Sequence, residues 1–65
     1  MTKQTIILGG GESGTGAALL AQRQGHAVFL SDIGLIPRNN KDLLHRHGIR
    51  FEEGMQSEEI ILQAD

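Results

Sequence analysis

Thr5-Ile6-Ile7-Leu8-Gly9-Gly10-Gly11-Glu12-Ser13-Gly14 decides how this chain is read. A short apolar run, Thr5 to Leu8, meets a G-x-G-x-x-G turn, and the stretch Thr15 to Gln24 that follows has helix-like composition. A turn between a strand and a helix points free backbone N–H groups and the positive end of the helix dipole at one spot, where a phosphate or diphosphate fits. The glycines divide the work: Gly9 for the tight turn, Gly11 for close approach of backbone to phosphate, Gly14 for packing of helix on strand. Five of the eight residues from Gly9 to Gly16 are glycine. A bare connecting turn needs about two, and the surplus costs backbone entropy.

Outward from this turn the pattern is regular. Thr5–Leu8 reads as a buried strand, apolar on both faces as in a parallel sheet. The first helix carries Gly14, Ala17, Ala18 and Ala21 at i, i+3, i+4 and i+7, a stripe of small residues suited to a sheet. Gly25 stops it. Ala27-Val28-Phe29-Leu30 forms a second strand ending at Ser31-Asp32. Pro37, Asn39 and Asn40 mark a loop with helix-start signals, and Lys41–His47 makes a second helix around Leu43 and Leu44, ended by Gly48. Ile49-Arg50-Phe51-Glu52 alternates as a half-buried edge strand does. Gly54 turns the chain, Ser57 is a helix cap, and Glu58–Gln63 makes a third helix around Ile60 and Ile61. The order β-α-β-α-β-α with right-handed crossovers predicts an α/β fold, a Rossmann-like three-layer parallel sheet with strands ordered 3-2-1. It is an incomplete one: a fourth strand is expected on the free side of the first, so residues 1–65 read as the N-terminal part of a larger domain that folds poorly by itself.

Composition narrows the function. The net charge is 6 − 8 = −2, which speaks against a general nucleic-acid or membrane surface. No apolar run approaches the roughly 18 residues of a membrane span, and no signal peptide precedes the first strand, so a cytoplasmic chain is expected. With no cysteine there is neither a disulfide nor a thiolate metal site. Acidic residues gather after position 50 (Glu52, Glu53, Glu58, Glu59, Asp65), the solvent-facing side of a short helix and its approach.

Catalytic residues are not visible. Ser13 lies beside the turn, where a phosphate-binding or helix-capping hydroxyl is a better reading than a nucleophile. His26, His45 and His47 do not share a face, and the carboxylates lack metal-loop spacing. No G-x-x-x-x-G-K-[ST] loop is present to seat ATP. Asp32, at the C-terminal end of the second strand, either caps its own turn or accepts hydrogen bonds from a ribose hydroxyl or a nucleobase N–H. Glu12 would repel a diphosphate unless it points outward, which leaves phosphate contact to backbone N–H groups and Ser13. On residues alone, a dinucleotide-binding (NAD or FAD) segment of an oxidoreductase and a nucleotide-sensing regulatory module both stay open.

Ile6-Ile7-Leu8-Gly9-Gly10-Gly11-Glu12-Ser13-Gly14 resembles the opening of the Mur ligases of peptidoglycan synthesis, above all their D-glutamate-adding branch, whose turn reads G-x-G-x-[ST]-G. The likeness continues through Val28-Phe29-Leu30-Ser31-Asp32, Phe51-Glu52-Glu53-Gly54 and Ile60-Ile61-Leu62-Gln63-Ala64-Asp65. It implies a segment that binds the UDP of UDP-N-acetylmuramoyl-L-alanine, not NAD. Gly11, Glu12, Ser13 and Gly14 would then meet the diphosphate side and Asp32 the uracil. Ile33 and Gly34 stand where some relatives have Thr and Arg, which leaves backbone contacts there. Gln56 stands where many members have His. ATP, magnesium and D-glutamate belong, by the same resemblance, to the remaining domains of such a ligase, with no cofactor in this segment.

Overall fold

A computed structural model describes residues 3–55. Three parallel strands, β1 (Gln4–Leu8), β2 (Ala27–Asp32) and β3 (Arg50–Glu53), alternate with two helices, α1 (Glu12–Arg23) and α2 (Arg38–Arg46). The sheet order is β1-β2-β3, which is the expected 3-2-1 read from the other edge. Residues 58–63, expected as a third helix, lie outside the described residues, as do Gln56 and Ser57.

The register explains the layering. Ile7 stands beside Leu30, and Leu30 beside Phe51. Side chains of one row share a face, and this row meets the helices: Leu30 is fully buried with Ala18, Ile36, Leu44 and Ile49, and Ile7, Leu19, Val28 and Phe51 pack around them. Ile6, Phe29 and Arg50 form the next row and point to the opposite face. There the Arg50 guanidinium lies 5.9 Å from the centroid of the Phe29 ring.

Both helices end the same way. Gly25 and Gly48 take the left-handed conformation, with φ of 88° and 68°. The N–H two residues past each cap then returns to the last turn, His26 to Ala21 O at 3.1 Å and Ile49 to Leu44 O at 2.9 Å. This is the Schellman closure. It satisfies helix carbonyls and feeds the chain straight into β2 and β3. In the second instance Ile49 and Leu44 also meet in the core, the apolar contact that accompanies the motif.

Four expectations need correction. β1 is half-buried and not enclosed on both faces, and Leu8 at its end is 60% exposed. Among the described residues β1 has one strand neighbour, β2. α1 begins at Glu12, three residues before Thr15, because the turn passes directly into helical backbone. α2 likewise begins at Arg38, since Pro37 sets the first carbonyl for Asn40 and Lys41 N–H, both at 3.0 Å. The inner stripe of α1 also differs in one member: Ala17 is exposed and Thr15 is buried in its stead. The Thr15 hydroxyl lies 3.3 Å from the Gly10 carbonyl oxygen, a polar anchor that a count of small residues does not reveal.

Candidate functional site

The C-terminal ends of β1, β2 and β3 open onto one edge of the sheet, and the turns leaving them lie side by side. Gly9 N–H donates to Ser31 O at 2.7 Å, one more rung of the β1–β2 ladder. At the next rung the acceptor is a side chain: Gly10 N–H donates to Asp32 Oδ2 at 2.7 Å. The other carboxylate oxygen, Oδ1, accepts Gly34 N–H at 2.9 Å. Asp32 therefore closes its own turn and ties it to the glycine turn. These two N–H groups, Gly10 first, hold the Asp32 carboxyl below its ordinary value of 3.8.

The glycine turn is held from the other side as well. The Gly10 carbonyl accepts Asn40 Nδ2–H at 3.0 Å from the first turn of α2. A side chain on Gly10 would meet Ile36 Cγ1 at 2.6 Å, and one on Gly14 would run into the Gly9 carbonyl oxygen. Gly10 thus lets the loop after β2 pack on the turn, and Gly14 lets α1 lie against the end of β1. Gly9, with φ of 108°, makes the bend. Gly11 has open space where a side chain would be.

The start of α1 has no side-chain cap. Gly11 occupies the cap position with extended backbone, and the first N–H to find a carbonyl is that of Thr15, to Gly11 O at 2.9 Å. The N–H groups of Gly11, Glu12, Ser13 and Gly14 have no acceptor among the described residues. Ser13 therefore does not cap the helix. It sits exposed within the first turn, its hydroxyl unengaged among the described residues. Glu12, also exposed, complements the dipole of its own helix.

The loop after β2 has its own support. Glu53, at the end of β3, accepts Ile36 N–H at 2.9 Å through Oε1 and pairs with Lys41 Nζ at 3.0 Å through Oε2. The Ile36 N–H and then Lys41 hold the Glu53 carboxyl below its ordinary value of 4.5. Gly54 N–H donates to Gly34 O at 2.8 Å. Large apolar side chains at these same strand ends, Leu8, Ile33, Leu35 and Met55, are exposed.

All seven residues singled out in the sequence, Gly11, Glu12, Ser13, Gly14, Asp32, Ile33 and Gly34, lie on this edge. Gly10, Thr15, Ile36, Asn40 and Glu53 were not singled out, although they fix the geometry. A signal existed for one of them: Asn40 precedes Leu44 by one helical turn and so occupies a core-facing position with an amide. The histidines are apart. His26 Nδ1 lies 2.8 Å from Thr5 Oγ1, and His45 meets Phe51 edge-on at 5.0 Å. No group of three or more His, Cys, Asp or Glu among the described residues can hold a metal ion. Two open grooves lie elsewhere, about 490 Å³ beside Phe29, Ile49 and Phe51 and about 440 Å³ between β1 and α1 near Thr5 and Leu20. Neither brings together polar groups of the kind found at the glycine turn.

Fold and turn define a Rossmann-like parallel α/β unit with an uncapped glycine turn at its first helix. Among known proteins the chain is homologous to UDP-N-acetylmuramoylalanine–D-glutamate ligases. It is 52% identical over 63 residues to that of Bacteroides thetaiotaomicron, covering 97% of this chain and 14% of the relative. To the Porphyromonas gingivalis ligase it is 54% identical over 59 residues, 91% of this chain and 13% of the relative. To that of Cytophaga hutchinsonii it is 47% identical over 64 residues, 98% and 14%. The chain thus spans about 14% of the length of these relatives. No family model and no solved structure matches it.

Proposed function

We propose that this chain is the nucleotide-holding segment of a ligase that adds D-glutamate to UDP-N-acetylmuramoyl-L-alanine in peptidoglycan synthesis, its substrate's UDP lying along the C-terminal ends of β1 and β2. The observation that carries this reading is the uncapped start of α1. Four consecutive N–H groups, Gly11 to Gly14, lack an acceptor among the described residues and lie beside the Ser13 hydroxyl at the positive end of a 12-residue helix. The diphosphate belongs there. The uracil belongs beside Asp32, Ile33 and Gly34, where the carboxylate oxygens retain lone pairs after accepting Gly10 and Gly34 N–H and can take the base N–H. Homology to proteins named for a UDP-linked substrate supports this choice over NAD or FAD. The same proposal includes a cytoplasmic setting and a role in building the cell wall.

The segment's part in the reaction is binding. In the whole enzyme ATP, with magnesium, would activate the L-alanine carboxyl for attack by the D-glutamate amine. The described residues offer neither an ATP loop nor a metal cluster, so no catalytic step is placed on them.

Titrating the complete protein chain with UDP or NAD and following backbone amide signals tests the reading. UDP is expected to shift Gly11–Gly14 and Asp32–Gly34, and NAD to shift them much less. Larger shifts with NAD, at lower concentration, would replace the ligase reading by the oxidoreductase one.

A further inference from the structure

Asn40 is a polar residue in an apolar position. It lies in the first turn of α2, is only 5% exposed, and precedes the fully buried Leu44 by one turn. Packing alone favours an aliphatic side chain there, since an amide taken from water costs free energy unless it is bonded. Its bond goes to one place, the Gly10 carbonyl, at 3.0 Å.

That carbonyl has a fixed relation to a candidate ligand donor. The Gly10 C=O and the Gly11 N–H belong to the same planar trans peptide and point in opposite directions. A hold on the Gly10 oxygen from inside the protein therefore aims the Gly11 N–H outward. There the space around Gly11 is open, with nothing within 4 Å of where a side chain would begin. The Thr15 hydroxyl reaches the same oxygen from α1 at 3.3 Å, a longer and weaker contact. Asp32 fixes the preceding peptide through Gly10 N–H. With both neighbouring peptides held, the turn has little freedom to flip.

We infer that Asn40 is a positioning residue for nucleotide binding: it touches no ligand, and it sets the orientation of the Gly11 peptide so that its N–H meets the diphosphate. The inference rests on the UDP reading above. The neighbouring Lys41 acts in parallel, since its pairing with Glu53 secures the loop around Ile36. One turn of α2 thus supports both halves of the site.

The test uses the complete protein chain, with UDP as the probe and three variants. Asn40→Leu keeps the size and removes the donor, and Asn40→Asp replaces the donor by an acceptor. Gln22→Ala removes a polar tie between α1 and the end of α2, away from the turn, the 2.6 Å bond from Gln22 to His47 O, and serves as the control. Both Asn40 variants are expected to raise the UDP dissociation constant about fivefold, the scale of one neutral hydrogen bond. Each is also expected to shift the Gly11 amide signal in the free protein. Gln22→Ala should do neither. Should Asn40→Leu fail to fold by circular dichroism, Asn40→Asp carries the comparison. A folded Asn40 variant that binds UDP within about twofold of the parent, below the worth of such a bond, assigns Asn40 to stability alone and overturns the inference while leaving the UDP reading in place. Failure of the parent chain to bind UDP overturns both.

Discussion

The two ends of the sheet solve the same problem differently. Where helices enter strands, at Gly25 and Gly48, backbone closes on backbone: a left-handed glycine, a Schellman bond, and the next strand begins. Where strands leave for helices, side chains hold the backbone. Asp32 takes Gly10 and Gly34, Asn40 takes Gly10, and Glu53 takes Ile36. The first arrangement returns the N–H groups past each cap to helix carbonyls. The second fixes the turn and leaves four N–H groups at the start of α1 without an acceptor among the described residues. Every helix start leaves such N–H groups, and at α1 no side-chain cap takes them, which is the state an anion-binding end requires.

The difference can be broken one glycine at a time. Gly14→Ala is expected to have the largest effect, a loss of about 3 kcal/mol of unfolding free energy together with nucleotide binding, because the new methyl runs into the backbone of Gly9, which cannot rotate away. At the other end Gly25→Ala meets no atom and carries only the cost of a left-handed alanine, about 1–2 kcal/mol. Its nucleotide affinity should match the parent's. Thermal or urea unfolding of the complete chain, paired with UDP titration, separates the two. Equal loss of binding in both variants would erase the distinction between the ends.

Acid sharpens the same contrast. Asp32 and Glu53 both have carboxyls held below their ordinary values of 3.8 and 4.5 by N–H groups at the strand exits. A depressed folded-state value contributes stability that is present above the ordinary value and lost as pH falls through the lowered one. Stability is therefore expected to decline below about pH 4.5, with the Gly10 and Ile36 amides losing protection before the interior of β2. Asp32→Asn, which can no longer accept both N–H groups as a carboxylate does, should flatten part of that decline. Hydrogen exchange between pH 3 and 6 reads it.

The smallest effect runs the other way. Gly16 lies inside α1, exposed, with nothing within 4 Å of an added Cβ. Gly16→Ala should raise stability by about 0.5–1 kcal/mol and leave UDP binding unchanged. A loss instead would mean that Gly16, too, faces the ligand.

The fold was legible in the sequence because its signals are local. Apolar runs, glycine stops at Gly25 and Gly48, and the strand–turn–helix passage each depend on a few neighbouring residues, and topology follows from crossover handedness. The edges blurred where two signals overlapped: Glu12 to Gly14 belong both to the turn and to the helix, and glycine content hid the helix start. The site was legible only in part for the opposite reason. Asp32 and the glycines are marked by spacing, but the bonds that hold Gly10 come from Asn40, thirty residues on, and from Thr15, and no local pattern announces such a partnership.

Hydrogen exchange of the consecutive amides Gly10 to Gly14, in the complete chain with and without UDP, reaches the central claim most directly. Gly10, bonded to Asp32, should exchange slowly in the free protein, and Gly11 to Gly14 quickly. UDP should slow Gly11 to Gly14 and leave Gly10 as it was, while uridine, lacking the diphosphate, should slow none of them. If Gly10 exchanges as fast as Gly11 in the free protein, or if UDP leaves Gly11 to Gly14 fast, the turn is not the held and open phosphate cradle described above.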